Sequence, residues 1–183
     1  FCAVLDPPAS VPLPVQVPVN LRRYLPNGRA GALCNLAGSI YPALRCEPGA
    51  PFAATLEQAH AAQAAAAAGL PGLGQALMLE AAMALPYALA TRLAAATMAG
   101  SRTGKTHPFL SNMGVLDPAW VDFGDTAVAD AYGVGPLLYP PGFFLALSTF
   151  RGVLTLATSF CHTAVEASRV ARCLDVLVAE LPA

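Results

Sequence analysis

Three histidines, five cysteines and one polar cluster, Ser111-Asn112-Met113-Gly114, hold most of the chemistry open to this 183-residue chain. His60 lies in an alanine-rich run with no carboxylate three or four positions on, so it reads as a surface side chain. His162 stands directly before Thr163 and reads as a helix entrance. His107 is more interesting, because it leads through Pro108, Phe109 and Leu110 into the Ser-Asn-x-Gly cluster. Such a cluster at a strand end needs no catalytic explanation, since Asn and Gly form turns and Ser caps them. From the residues alone that plainer reading is favoured.

The cysteines are Cys2, Cys34, Cys46, Cys161 and Cys173, an odd number at scattered spacings with no C-x-x-C pair. No metal site is expected from them. Cys161 and His162 are neighbours, and neighbours on a strand point to opposite faces, so they would not ligate one ion together. Free thiols in a cytoplasmic setting are the default expectation. Phosphate loops are equally weak here. Thr103-Gly104-Lys105-Thr106 lacks the upstream glycine of a G-x-x-x-x-G-K loop, and the glycines of 69–74 precede no βαβ unit and enclose Pro71.

The elements that must position these residues are marked by proline and glycine. Residues 11–21 alternate apolar side chains with Pro12, Pro14 and Pro18, which donate no ladder hydrogen bond, so the segment belongs at a sheet edge or end. Pro26-Asn27-Gly28 predicts a turn, and 31–41 a second extended piece closed by Pro42. Helices are predicted over 52–68, with Phe52, Leu56 and Ala59 on one stripe, and over 75–99, bent at Pro86. Residues 101–105 read as a mobile polar loop, and 107–114 as extended. Short strands are predicted at 120–123 and 126–132. Residues 143–150 and 153–160 form a hairpin through Arg151-Gly152. A last helix is predicted from Thr163, where Thr163-Ala164-Val165-Glu166 has capping-box form, with Val170, Leu174, Leu177, Val178 and Leu181 as its apolar stripe. The expected fold class is α/β, a two-layer sandwich whose helices cover one face of a mixed, mostly antiparallel sheet.

Composition narrows the function classes. Ten Lys+Arg stand against eleven Asp+Glu, net charge -1, which gives no basic surface for a nucleic acid. Hydrophobic residues make up 56% and charged ones 11%, against about 25% charged in an average domain, so disorder is excluded too. No membrane span is expected, because the best candidate, 76–99, is interrupted by Glu80, Pro86 and Arg92. The chain opens on Phe1, and 1–5 followed by Asp6-Pro7-Pro8 reads like the last turn of a helix and its exit loop. A preceding N-terminal portion is therefore expected.

Taken in order, Pro18-Val19-Asn20-Leu21-Arg22, Cys34-Asn35-Leu36-Ala37-Gly38, Ser111-Asn112-Met113-Gly114, Asp122-Phe123-Gly124 and the Phe-rich hairpin are similar to the C-terminal half of the chloramphenicol-acetyltransferase-like superfamily. That superfamily includes nonribosomal peptide synthetase condensation domains, the wax ester synthase and diacylglycerol acyltransferase group, and alcohol acyltransferases. Cys34 stands where the family's turn usually has Gly, and Asp125 where plant members have Trp. The resemblance implies that 1–183 is the C-terminal subdomain of a pseudo-two-fold enzyme, with a substrate tunnel between its halves. The donor would be an acyl-CoA or phosphopantetheine thioester, with no bound cofactor. The partners would be the N-terminal half and, in carrier-dependent members, an acyl carrier protein.

The family's catalytic histidine lies in an H-H-x-x-x-D-G motif that this chain lacks, so no catalytic base is expected on it. By resemblance Ser111, Asn112 and Gly114 would line the tunnel opposite that histidine, binding substrate or the oxyanion. Asn20, Arg22, Asn35 and Asp122 would be structural, with Arg22 and Asp122 as an ion pair. A non-catalytic module that recruits a carrier protein or holds an apolar ligand is the alternative. The thin charge then reflects an inner face covered by the partner half.

Overall fold

The computed structural model describes residues 12–29, 31, 34–45, 47, 49–102, 107–138, 143–163 and 165–180. The expected helix end at 1–5, Cys2, Cys46, Lys105 and Leu181 lie outside them. The chain divides into two units, 8–105 and a second drawn from 106–183.

In the first unit, β1 (Leu13–Pro14) and β2 (Val17–Asn20) run antiparallel to β4 (Ala43–Leu44) and β3 (Ala37–Ile40) respectively. Val15 donates its N–H to the Pro42 carbonyl at 2.9 Å between the two pairings. Pro14 and Pro18 donate nothing, which a two-stranded ribbon tolerates because every strand in it is an edge. Val15, Leu21 and Ile40 are buried in this unit. Short 3-10 turns follow at Leu21–Tyr24 and Pro26–Gly28, the second with Asn27 and Gly28 in the left-handed region as the turn chemistry predicts.

Three helices complete the unit: α1 (Phe52–Ala66), α2 (Leu73–Met83) and α3 (Tyr87–Arg102). Gly69, at φ 75°, lies just past the end of α1. The bend expected at Pro86 is a full break between Met83 and Tyr87, because Pro86 has no N–H to continue the helix and disfavours helical geometry in the residue before it. The helix interrupts the polar loop expected at 101–105 as far as Arg102. The stripe expected on α1 is not buried: Phe52 is 53% and Leu56 56% exposed, and α1 and α2 contain no buried residue.

In the second unit the sheet order is β5 (Phe109–Leu116), β6 (Phe144–Phe150), β7 (Val153–Ser159). β6 and β7 form the predicted hairpin in register Phe150↔Val153, and Arg151 and Gly152 both have positive φ, as a type I′ turn requires. β5 pairs with β6 in parallel. Phe143 and Leu145 pack against Val170 and Cys173 of α4 (Ala167–Glu180), joined by Leu110, Leu147, Leu174 and Leu177. Cys173 takes a core position that the predicted stripe left out, while Val178 is 61% exposed.

Three further expectations are corrected. Among the described residues the single sheet is three small ones, three of whose four pairings are antiparallel. The strands predicted around Gly124 are a 3-10 turn at Pro118–Trp120 and one isolated bridge, Phe123↔Thr126. Asp117 and Asp122 each accept the amide two residues on, from Ala119 and Gly124 at 2.9 Å, and so hold the chain in turns. Helix α4 starts four residues after Thr163. The Val165 N–H bonds back to the Cys161 carbonyl at 3.0 Å and the Thr163 hydroxyl pairs with the Cys161 thiol, so Thr163 belongs to a separate turn and no capping box forms. The α/β class itself stands.

Candidate functional site

Strand alternation decides what Ser111 and Asn112 can do together. Leu110 joins the core under α4, and Phe109 stacks on Phe144 at 4.6 Å between ring centroids and 11° between planes. Phe109 and Ser111 therefore share the sheet face away from α4, and Leu110 and Asn112 share the face toward it. Ser111 is half-buried opposite Ala146, while Asn112 is exposed opposite Leu147. The two side chains do not converge on one point from one face.

Past Asn112 the β5–β6 register shifts, and pairing resumes at Val115↔Thr149. The irregularity has a local cause. Asn112 Oδ1 accepts the Gly114 N–H at 2.9 Å, and Gly114 adopts φ +72°, which a glycine reaches without strain. A β-carbon on Gly114 would meet nothing within 4 Å, so its glycine serves the turn and not a close approach. With its oxygen engaged, the exposed Asn112 amide keeps its NH2 as a donor.

The same bond recurs at the other motif residues. Asn20 Oδ1 accepts the Arg22 N–H at 3.0 Å, Asn35 Oδ1 the Ala37 N–H at 3.1 Å and Asp122 Oδ1 the Gly124 N–H at 2.9 Å. Each is an Asx turn, the local side-chain substitute for a backbone turn bond. The Arg22 guanidinium donates to the Cys34 carbonyl at 3.2 Å. Arg22 and Asp122 each have a hydrogen-bond partner within their own unit. Among the described residues, His60, His107 and His162 are exposed, and no three His, Cys, Asp or Glu side chains gather as a metal site. No helix of the described residues is long and apolar enough to cross a membrane.

A feature that sequence reasoning missed covers the Ser111 face of the sheet. The Gly133 N–H donates to the buried Ser148 Oγ at 3.1 Å, and the Ser159 hydroxyl donates to the Gly135 carbonyl at 2.8 Å. Tyr132 and Val134 point outward and are exposed. Gly-x-Gly at period two, Gly133 and Gly135, was the available signal: two glycines on one side of an extended segment let its backbone lie close on a neighbour. Ser148→Ala is expected to cost about 1 kcal/mol in urea unfolding, since the half-buried Gly133 N–H loses its acceptor but stays within reach of water.

In the first unit a cleft of about 610 Å³ runs between Ile40 and Tyr41 on one side and Leu70 and Met78 on the other. A second, more open cleft of about 550 Å³ is lined by Val19, Asn20, Arg22, Arg23 and Gly28. In comparisons with known proteins, no family model, no curated protein and no solved structure matches this chain.

Proposed function

We propose that this chain is the C-terminal half of an acyltransferase or condensation-type enzyme that moves an acyl group from a CoA or phosphopantetheine thioester to a hydroxyl or amine. The observation that carries the reading is the Asn112–Gly114 turn. It occurs within the Ser-Asn-x-Gly segment of the resemblance and leaves an exposed amide donor in the middle of the edge strand β5, at its irregularity. In the reaction the acceptor oxygen or nitrogen attacks the thioester carbonyl, its bond to carbon forms, and the carbon–sulfur bond breaks. The acceptor's proton passes through the base on the partner half to the departing thiolate. The Asn112 NH2 would hold the carbonyl oxygen as it gains charge. Ser111, on the other face, would shape the strand behind it. The enzyme would be cytoplasmic, with an acyl carrier protein as a partner where the donor is carrier-bound.

The alternative is a binding module without catalysis. It is favoured by the apolar cleft beside Ile40 and Met78, and by the exposed helices of the first unit. The upstream reading frame separates the two, since an H-H-x-x-x-D-G motif on the order of 100–200 residues before Phe1 belongs to the enzyme. The direct test joins the chain to that preceding polypeptide and follows free-thiol release from several acyl thioesters. Acceptor-dependent release is the expected result. Two halves that fold together and consume no thioester would overturn the enzymatic reading.

A further inference from the structure

Between Asp6 and Glu47 the sequence has four arginines, Arg22, Arg23, Arg29 and Arg45, and no carboxylate. In a chain of net charge -1, this segment stands out as locally cationic. Two of the four, Arg22 and Arg23, line the open cleft of about 550 Å³ together with Asn20. That volume is within the range of small-ligand sites, about 300–1,000 Å³.

The polar side chains of this cleft offer donors. The Asn20 oxygen is engaged by the Arg22 N–H, which leaves its NH2 to donate. Arg22 spends one N–H on the Cys34 carbonyl, and a guanidinium has four more. Arg23 is exposed, its Cζ 6.0 Å from the Tyr24 ring centroid. Neither guanidinium is paired with a carboxylate among the described residues. Two uncompensated cations and an amide donor attract an anion with several oxygens, and arginine forks match phosphate geometry best.

We infer that this cleft binds a pyrophosphate group, held by Arg22, Arg23 and Asn20. The site is independent of the acyl-transfer reading, and either can fail without the other. The test titrates the full chain with inorganic pyrophosphate, inorganic phosphate and ADP by calorimetry. Saturable binding of pyrophosphate, tighter than that of phosphate, is expected. Arg23→Ala should weaken it about tenfold, the effect of one charged hydrogen bond. Arg172→Ala, an exposed arginine on α4, should leave it unchanged. The Arg23 side chain is exposed and bonds no backbone group among the described residues, so its variant keeps the fold, which circular dichroism checks. ADP binding as tightly as pyrophosphate or more so assigns the group to a nucleotide, and weaker ADP binding assigns it to free pyrophosphate. No saturable binding of either, or equal losses in the two arginine variants, would overturn the proposal.

Discussion

Replacing Gly135 with alanine is expected to lower unfolding stability by about 3 kcal/mol, near the top of the usual range for overpacking. A β-carbon there would overlap the Phe144 ring. That ring has nowhere to go: it is 7% exposed and stacked on Phe109, while its own backbone is held in register on both sides by β5 and β7. The covering segment would have to lift instead, at the expense of the Ser159–Gly135 bond. Gly133→Ala gives the internal comparison. Its new carbon meets the end of the Met113 side chain, which is 43% exposed and has three rotatable bonds, so a change of rotamer relieves the overlap. The expected cost is under about 1 kcal/mol. Urea unfolding of the two variants measures the difference directly. Equal losses would mean that the segment does not lie on Phe144.

That contrast also shows what a sequence can and cannot carry. The hairpin was legible because its information is local: Gly152 takes positive φ without strain, and two β-rich runs flank the Arg151-Gly152 pair. The end of α1 and the interruption between α2 and α3 were legible for the same reason, marked by Gly69 and Pro86, whereas the start of α4 was not. The covering segment was not. Its hydrogen bonds come from Ser148 and Ser159, 15 and 24 residues away, and the Gly133-x-Gly135 spacing signals a close approach without naming those partners. The alternation there suggested a strand, but among the described residues the segment bonds to serine side chains and not to a ladder. The turn at Asp122 misled in the opposite direction, since an aspartate that takes its own neighbour's amide stops a strand which the apolar residues around it would support.

The candidate site was legible in kind and not in arrangement. Asn and Gly in Ser-Asn-x-Gly predicted a turn, and Asn112 makes it. The period of two that set Cys161 apart from His162 applies equally to Ser111 and Asn112. It divides between two faces a pair that the resemblance places along one tunnel wall. The four Asx residues of the motif set share a simple physical role, each fixing the backbone two residues on, which accounts for their types whether or not substrate ever reaches them.

The largest loss is expected at Gly72. This residue belongs to the glycine-rich stretch that faintly imitates a phosphate loop, yet its structural duty is a close approach. It sits at φ +76° immediately before α2, and a β-carbon on it would come within 3.2 Å of Gly38 Cα and of Leu21 Cδ2 and closer still to Val19. The contact is reciprocal. A β-carbon on Gly38 would meet Gly72 Cα and O at 2.9 Å, so neither backbone can give way to the other. The Tyr24 hydroxyl, donating to the Pro71 carbonyl at 3.0 Å, holds the linker in the same place. Gly72→Ala therefore adds left-handed strain of about 1–2 kcal/mol to an overpacking cost of about 1–3 kcal/mol, and should destabilise by roughly 2–5 kcal/mol. Two positions on, Gly74 lies inside α2, has ordinary φ and meets nothing within 4 Å. Gly74→Ala should stabilise by about 0.5–1 kcal/mol through helix propensity alone. Thermal melts of the two variants should move in opposite directions. A Gly72→Ala protein as stable as the parent would separate α2 from the ribbon, and would return 69–74 to the status of an ordinary loop.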